Sequence, residues 1–123
     1  MLQLVKGAQT GLIGPLALTY DSIVRAVRPL TPGVFAIGHL DATECFYVER
    51  VGRGDYDLRR ALQECIGTAS HFKYMEMPTA DQAFAKECLL FHDFKPPGNQ
   101  FHPEPPFDSE RDCPRCFFPF RGG

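Results

Sequence analysis

A carboxylate stands in the middle of an apolar helical stripe, and that position constrains the chain more than any other. Ala80, Ala83, Phe84, Leu90 and Phe91 lie three, four or seven residues from Glu87, the spacing that gathers side chains on one face of an α-helix. The solvated residues of the same segment, Asp81, Gln82, Lys86 and Asp93, fall away from that face. Glu87 is therefore not one more surface charge. A carboxylate on a core-facing stripe needs a partner, because an isolated buried charge is too costly to keep. Two kinds of partner fit: an arginine at the edge of the core, or a metal ion.

The boundaries of this helix are written in the sequence. Pro78-Thr79 opens it, with Thr79 as N-cap, and Lys95-Pro96-Pro97-Gly98 must stop it near Asp93. Upstream, segments 33–38 and 45–51 are rich in β-branched and aromatic residues and are separated by the polar turn material His39 to Glu44. They read as a hairpin. A second helix runs from a cap at Asp55 or Asp57 through about Ile66, ended by Gly67, and residues 71–77 alternate as a third strand. Pro15 begins a further helix, predicted to run to about Arg28 with Leu16, Ile23, Val24 and Val27 on its apolar face. Residues 1–14 read as an extended or loosely ordered lead-in, and the chain after Gly98 as a proline-rich wrap over the core.

At 123 residues, with eleven prolines and eleven glycines, the chain suits one domain (1–123) with one core and much irregular backbone. The net charge of -2 supplies no global attraction for nucleic acid, so any basic surface must be local. Arg50, Arg53, Arg59 and Arg60 are the best cluster, yet Glu49, Asp55, Asp57 and Glu64 are interleaved with them, as on a solvated mixed-sign face. No stretch is long and apolar enough for a bilayer, and the first thirty residues lack a secretory pattern. The five cysteines, an odd number, suit a reducing compartment, so a cytoplasmic location is expected. Cys65 and Cys88 fall on apolar helix positions, where buried free thiols are common.

Several short elements together resemble the GIY-YIG endonuclease superfamily. Gly33-Val34-Phe35-Ala36-Ile37-Gly38 is similar to its first strand, and Arg50-Val51-Gly52-Arg53 stands where its second glycine element belongs. Asp57 to Cys65 resembles its first helix, Phe84 to Phe94 the helix with the metal-binding glutamate, here Glu87, and Asn99 the asparagine that follows. The likeness extends to small bacterial members ending in Cys-Pro-x-Cys, here Cys113-Pro114-Arg115-Cys116, and covers about residues 31–116. It implies an α+β fold with a small, mostly antiparallel three-stranded sheet flanked by helices.

The resemblance also implies a metal-dependent phosphodiester endonuclease acting on nucleic acid, in which magnesium or manganese on Glu87 stabilises charge while water attacks phosphorus. Family members carry tyrosines at the positions of Phe35 and Arg50, and an arginine and a histidine at those of Ala61 and Cys65. Displaced substitutes are available: Tyr47 or Tyr56 for a phenol, His71 for an imidazole, Arg53 or Arg60 for a phosphate contact, with Asn99 beside the substrate. The alternative is a catalytically degenerate module that binds nucleic acid or protein. Cys113 and Cys116 form half of a tetrahedral zinc site, with His92 and His102 the nearest imidazoles; free thiols or a redox pair are the competing readings.

Overall fold

The computed structural model describes residues 11–109 and 111–114. Its elements follow in the order β1 (Ile13–Ala17), α1 (Tyr20–Ala26), β2 (Gly33–Leu40), β3 (Phe46–Gly54), α2 (Leu58–Gln63), β4 (His71–Glu76) and α3 (Ala80–Phe94). The class is α+β, as expected, but the antiparallel sheet has four strands rather than three, in the order β1-β4-β2-β3.

The additional strand replaces the start of the helix predicted from Pro15. Residues Ile13 to Ala17 pair with β4, placing Ile13 opposite Tyr74 and Leu16 opposite Phe72. Proline lacks a backbone donor, and an edge strand tolerates that loss better than an interior strand. The helix begins instead at Tyr20, where the Thr19 side chain accepts a hydrogen bond from the Ser22 amide. Its short extent, ending at Ala26, still buries Ile23 and, just beyond, Val27.

The other elements follow their predicted signals closely, except that α2 ends at Gln63 rather than near Ile66, and turn backbone carries the chain to the left-handed Gly67. Thr79 caps α3 by accepting from the Gln82 amide at 3.1 Å, and the left-handed Lys95 ends it before Pro96. Asp57, not Asp55, caps α2 by accepting from the Arg60 amide. The hairpin strands β2 and β3 are longer than predicted, and β3 continues through Arg53 to Gly54.

Strand pleating separates two apolar layers. Phe35, Ile37, Phe72 and Tyr74 face α1 and α2, where they meet Ile23, Val27, Leu58 and Leu62. Val34, Ala36, Val48 and Val51 turn to the opposite face and pack with Leu90, Phe91 and Phe94 of α3. With both faces covered, β2 is buried from Gly33 through Gly38 and so shows little apolar–polar alternation. No helix among the described residues is long and apolar enough to cross a membrane.

Phe72 is fully buried, whereas Phe101 and Phe107 stand 79% and 89% exposed. Phe72→Ala should therefore cost about 3–5 kcal/mol in urea unfolding. Phe107→Ala should change stability by no more than about 0.5 kcal/mol.

Candidate functional site

β3 is the edge strand nearest α3, and its two faces present different side chains to the same groove. Pairing of Phe35 with Gly52 and of Val34 with Arg53 fixes the alternation. Phe35 and Gly52 belong to the α2 side, and Arg53 to the α3 side. Gly52 is required by contact: a Cβ there would come within 2.5 Å of the Phe35 ring. The groove, of about 580 Å³, is lined by Phe35, Arg50, Val51, Gly52, Arg53, Asp55, Ala61, Glu64, Cys65, Glu87, Asn99 and Glu104.

Glu87, Arg53 and Asn99 thus meet in one concavity despite their distance in sequence. The partner demanded by Glu87 is an arginine: Arg53 Nη1 donates to Glu87 Oε1 at 2.7 Å. Arg53 Nε donates to Asp55, and the guanidinium lies 5.2 Å from the centre of the Phe84 ring. Glu87 is only 6% exposed, and burial pushes its carboxyl up to about 7 even though Arg53 favours the charged form. Carboxylates on both sides hold the Arg53 guanidinium in its charged form against the same burial.

Asn99 uses its amide on backbone. Its Oδ1 accepts from the Val51 amide at 2.8 Å and its Nδ2 donates to the Val51 carbonyl at 3.0 Å. One residue earlier, the Gly98 amide donates to the Glu49 carbonyl at 2.7 Å. A Cβ on Gly98 would approach that carbonyl oxygen to 2.7 Å, so glycine permits the approach. The segment after α3 therefore caps the open edge of β3 and builds one wall of the groove.

All four positions that depart from the superfamily pattern, Phe35, Arg50, Ala61 and Cys65, line this groove together. Arg50 extends over the Phe35 ring, 6.0 Å from its centre, and Nη2 donates to Cys65 Sγ at 3.1 Å. Burial pushes the Cys65 thiol up, and Arg50 partly offsets it.

Of the displaced substitutes, Arg53 lines the groove and the others lie elsewhere. Tyr47 donates its phenol to Asp41 at 3.0 Å near the hairpin turn, which raises its pKa. The His71 ring lies 2.8 Å from the Ser70 hydroxyl. Neither lines the groove. Arg60 and Tyr56 border an adjoining depression that shares Asp55, Ala61 and Glu64 with the groove, and Arg60 forms a loose exposed pair with Glu64. Arg59 bonds the Val24 and Val27 carbonyls, joining α2 to α1. Of the four clustered arginines, Arg50 and Arg53 reach the groove.

A second cluster lies where the tail crosses α3. Cys88, His102 and Cys113 place one potential ligand atom each within 4.8 Å of one another, and they could hold a metal ion. Thiolate and imidazole donors favour zinc over magnesium or manganese. Cys113 is thus in a metal-competent cluster, whereas Cys116 lies outside the described residues. Cys88 had only the signature of a buried thiol in the sequence; its spacing of four from His92, one helical turn, was the available signal.

No family model matches this chain, and neither a curated protein nor a solved structure matches it.

Two measurements probe the geometry. Because the folded-state value of Glu87 lies above the ordinary 4.5, its contribution to stability is complete below about pH 4.5 and is lost as pH rises through about 7. Glu87→Gln should flatten this decline, worth about 3 kcal/mol in full, in denaturant unfolding across that window. An unchanged slope would assign the titration to another group. Asn99→Ala should cost about 1–3 kcal/mol and speed hydrogen exchange at the Val51 amide.

Proposed function

We propose that this chain is a GIY-YIG-like module that binds the phosphate backbone of nucleic acid in a divalent-cation-dependent manner and does not cut it efficiently. The observation carrying this reading is the joint placement of Arg50, Phe35, Ala61 and Cys65 in the groove that also contains Glu87. The positions that supply phenols, an arginine and an imidazole in the superfamily supply here one guanidinium above an apolar patch. Arg50 has a thiol and an aromatic ring as its closest partners, so it is the groove arginine best able to donate to a phosphate. Arg53 is already committed to two carboxylates.

Charge supports the cation requirement. Asp55, Glu64, Glu87 and Glu104 line the groove against Arg50 and Arg53, so a phosphodiester entering alone meets an excess of carboxylates. Oxygen donors of this kind suit magnesium or manganese, which retain water and bridge to phosphate oxygens. The ion would screen the acidic wall while Arg50 contacts the backbone.

A second reading, a metal-dependent endonuclease, is favoured by the convergence of Glu87 and Asn99 in the same groove. A carboxylate-bound ion would supply several kcal/mol of charge stabilisation to phosphodiester hydrolysis.

Salt-titrated binding of single-stranded and duplex oligonucleotides, with and without magnesium, separates these outcomes. Binding should require the cation, and Arg50→Ala should weaken it and reduce the salt slope by about 1. Arg60→Ala should leave the slope unchanged. Loss of neither affinity nor slope in Arg50→Ala would refute the phosphate contact. Manganese-dependent cleavage by the native chain that vanishes in Glu87→Ala would replace the binding reading with the nuclease reading. In the binding module, the combined change Phe35→Tyr, Arg50→Tyr, Ala61→Arg and Cys65→His should create cleavage by a more than additive gain.

A further inference from the structure

We propose that Cys88, His92, His102 and Cys113 form a structural zinc centre that fastens the segment after α3 onto that helix and thereby holds one wall of the groove. The first pair comes from successive turns of α3 and the second from the chain that crosses it. Cys88, His102 and Cys113 supply three mutually close donors. His92 lies outside that mutually close trio but approaches two of its members, its Nε2 3.1 Å from His102 Nε2 and 3.4 Å from Cys113 Sγ, and is assigned as the fourth ligand that closes on the ion.

The two His92 separations are close to the lengths of edges in a tetrahedral zinc site, and the other three donors lie within 4.8 Å of one another. Zn–N and Zn–S bonds of about 2.0–2.1 and 2.3 Å give edges of about 3.3 Å between nitrogens and about 3.6 Å between nitrogen and sulfur. The imidazole chemistry is also arranged for coordination. His102 Nδ1 lies 2.7 Å from the Pro103 carbonyl oxygen; donating to it leaves the Nε2 lone pair directed at the cluster, the usual supporting contact of a ligating histidine. Two imidazole nitrogens facing each other at 3.1 Å share a single proton or a cation. Zinc binding displaces the Cys88 and Cys113 thiol protons to solvent and leaves His102 Nδ1 protonated.

The location explains what the metal would do. Asn99 and Glu104, both between α3 and Cys113, line the groove. Asn99 and Gly98 tie one end of their segment to β3, and Ser109 Oγ donates to Asp81 at the start of α3. A zinc ion on His102 and Cys113 would close the fastening across the middle of the helix. Four protein ligands leave no position for substrate, as in structural sites. The centre is thus distinct from any hard cation near Glu87.

The test measures metal directly in the full chain. Purified protein should contain one zinc per chain, and cobalt substitution should give intense tetrahedral ligand-field bands with thiolate charge transfer. Zinc-free protein that gains neither zinc nor a tetrahedral cobalt spectrum on titration would overturn the proposal. His92→Ala and Cys113→Ser should each weaken zinc binding by at least about a hundredfold, the upper end of the loss from an outer-shell partner alone. Cys45→Ser, at the distant hairpin turn, should bind zinc normally. Cys116→Ser should also retain the cobalt spectrum; loss there with retention in His92→Ala would overturn His92 as the fourth ligand. Zinc removal from the native chain should speed hydrogen exchange at the Val51 amide, and unchanged exchange would refute the fastening of the groove wall.

Discussion

The ion pair between Arg53 and Glu87 joins the edge strand β3 to α3 and sets the relation between groove and core. Each partner alone would be a costly buried charge; together, with Asp55 on the other side of the guanidinium and Phe84 beneath it, they share the desolvation. Removing one partner of such a pair commonly costs about 3–5 kcal/mol because the other is left unpaired. The same contact settles the direction of the helix face. Glu87 meets β3, and the following residue, Cys88, packs with Phe84 and Cys113 on the side covered by the tail.

The free edge of β3 makes this arrangement necessary. An exposed edge offers unpaired amides and carbonyls to other chains. Here the Asn99 side chain pairs both polar groups of Val51, and the Gly98 backbone pairs with Glu49. The segment that protects the edge also makes the groove concave. A loop without regular structure thereby acquires a position as fixed as that of a strand, provided its far end is held to α3 by contacts such as Ser109–Asp81.

Chemistry in the groove follows from what these constraints leave available. Arg53 and Asn99 are spent on internal partners, so they position other groups before they can contact a ligand. Arg50 reaches the groove from the opposite pleat of the same strand, without a carboxylate in hydrogen-bond contact among the described residues. Binding to phosphate would use Arg50 against a surrounding excess of acidic groups, which is why a bridging cation changes the balance. The sulfur and imidazole cluster on α3 has different donor chemistry and lies outside that groove.

Local sequence rules determined much of the architecture: the hairpin, the caps at Thr79 and Asp57, the stop at Lys95, and the need of Glu87 for a partner. These depend on nearest-neighbour backbone geometry or a single helical period, both readable along the chain. The first strand was hidden because Gly14 and Pro15 lack strand patterning, and only the pairing of their neighbours Ile13, Leu16 and Ala17 with β4 makes the segment a strand. Tertiary structure likewise supplied Arg53 as a direct partner of Glu87, and brought Arg50 and Cys65 together. It also turned Cys88 from an apolar helix residue into a potential metal ligand beside His102 and Cys113. Each of those outcomes depends on distances between segments remote in sequence, and no local propensity specifies which burial cost a neighbouring segment will offset.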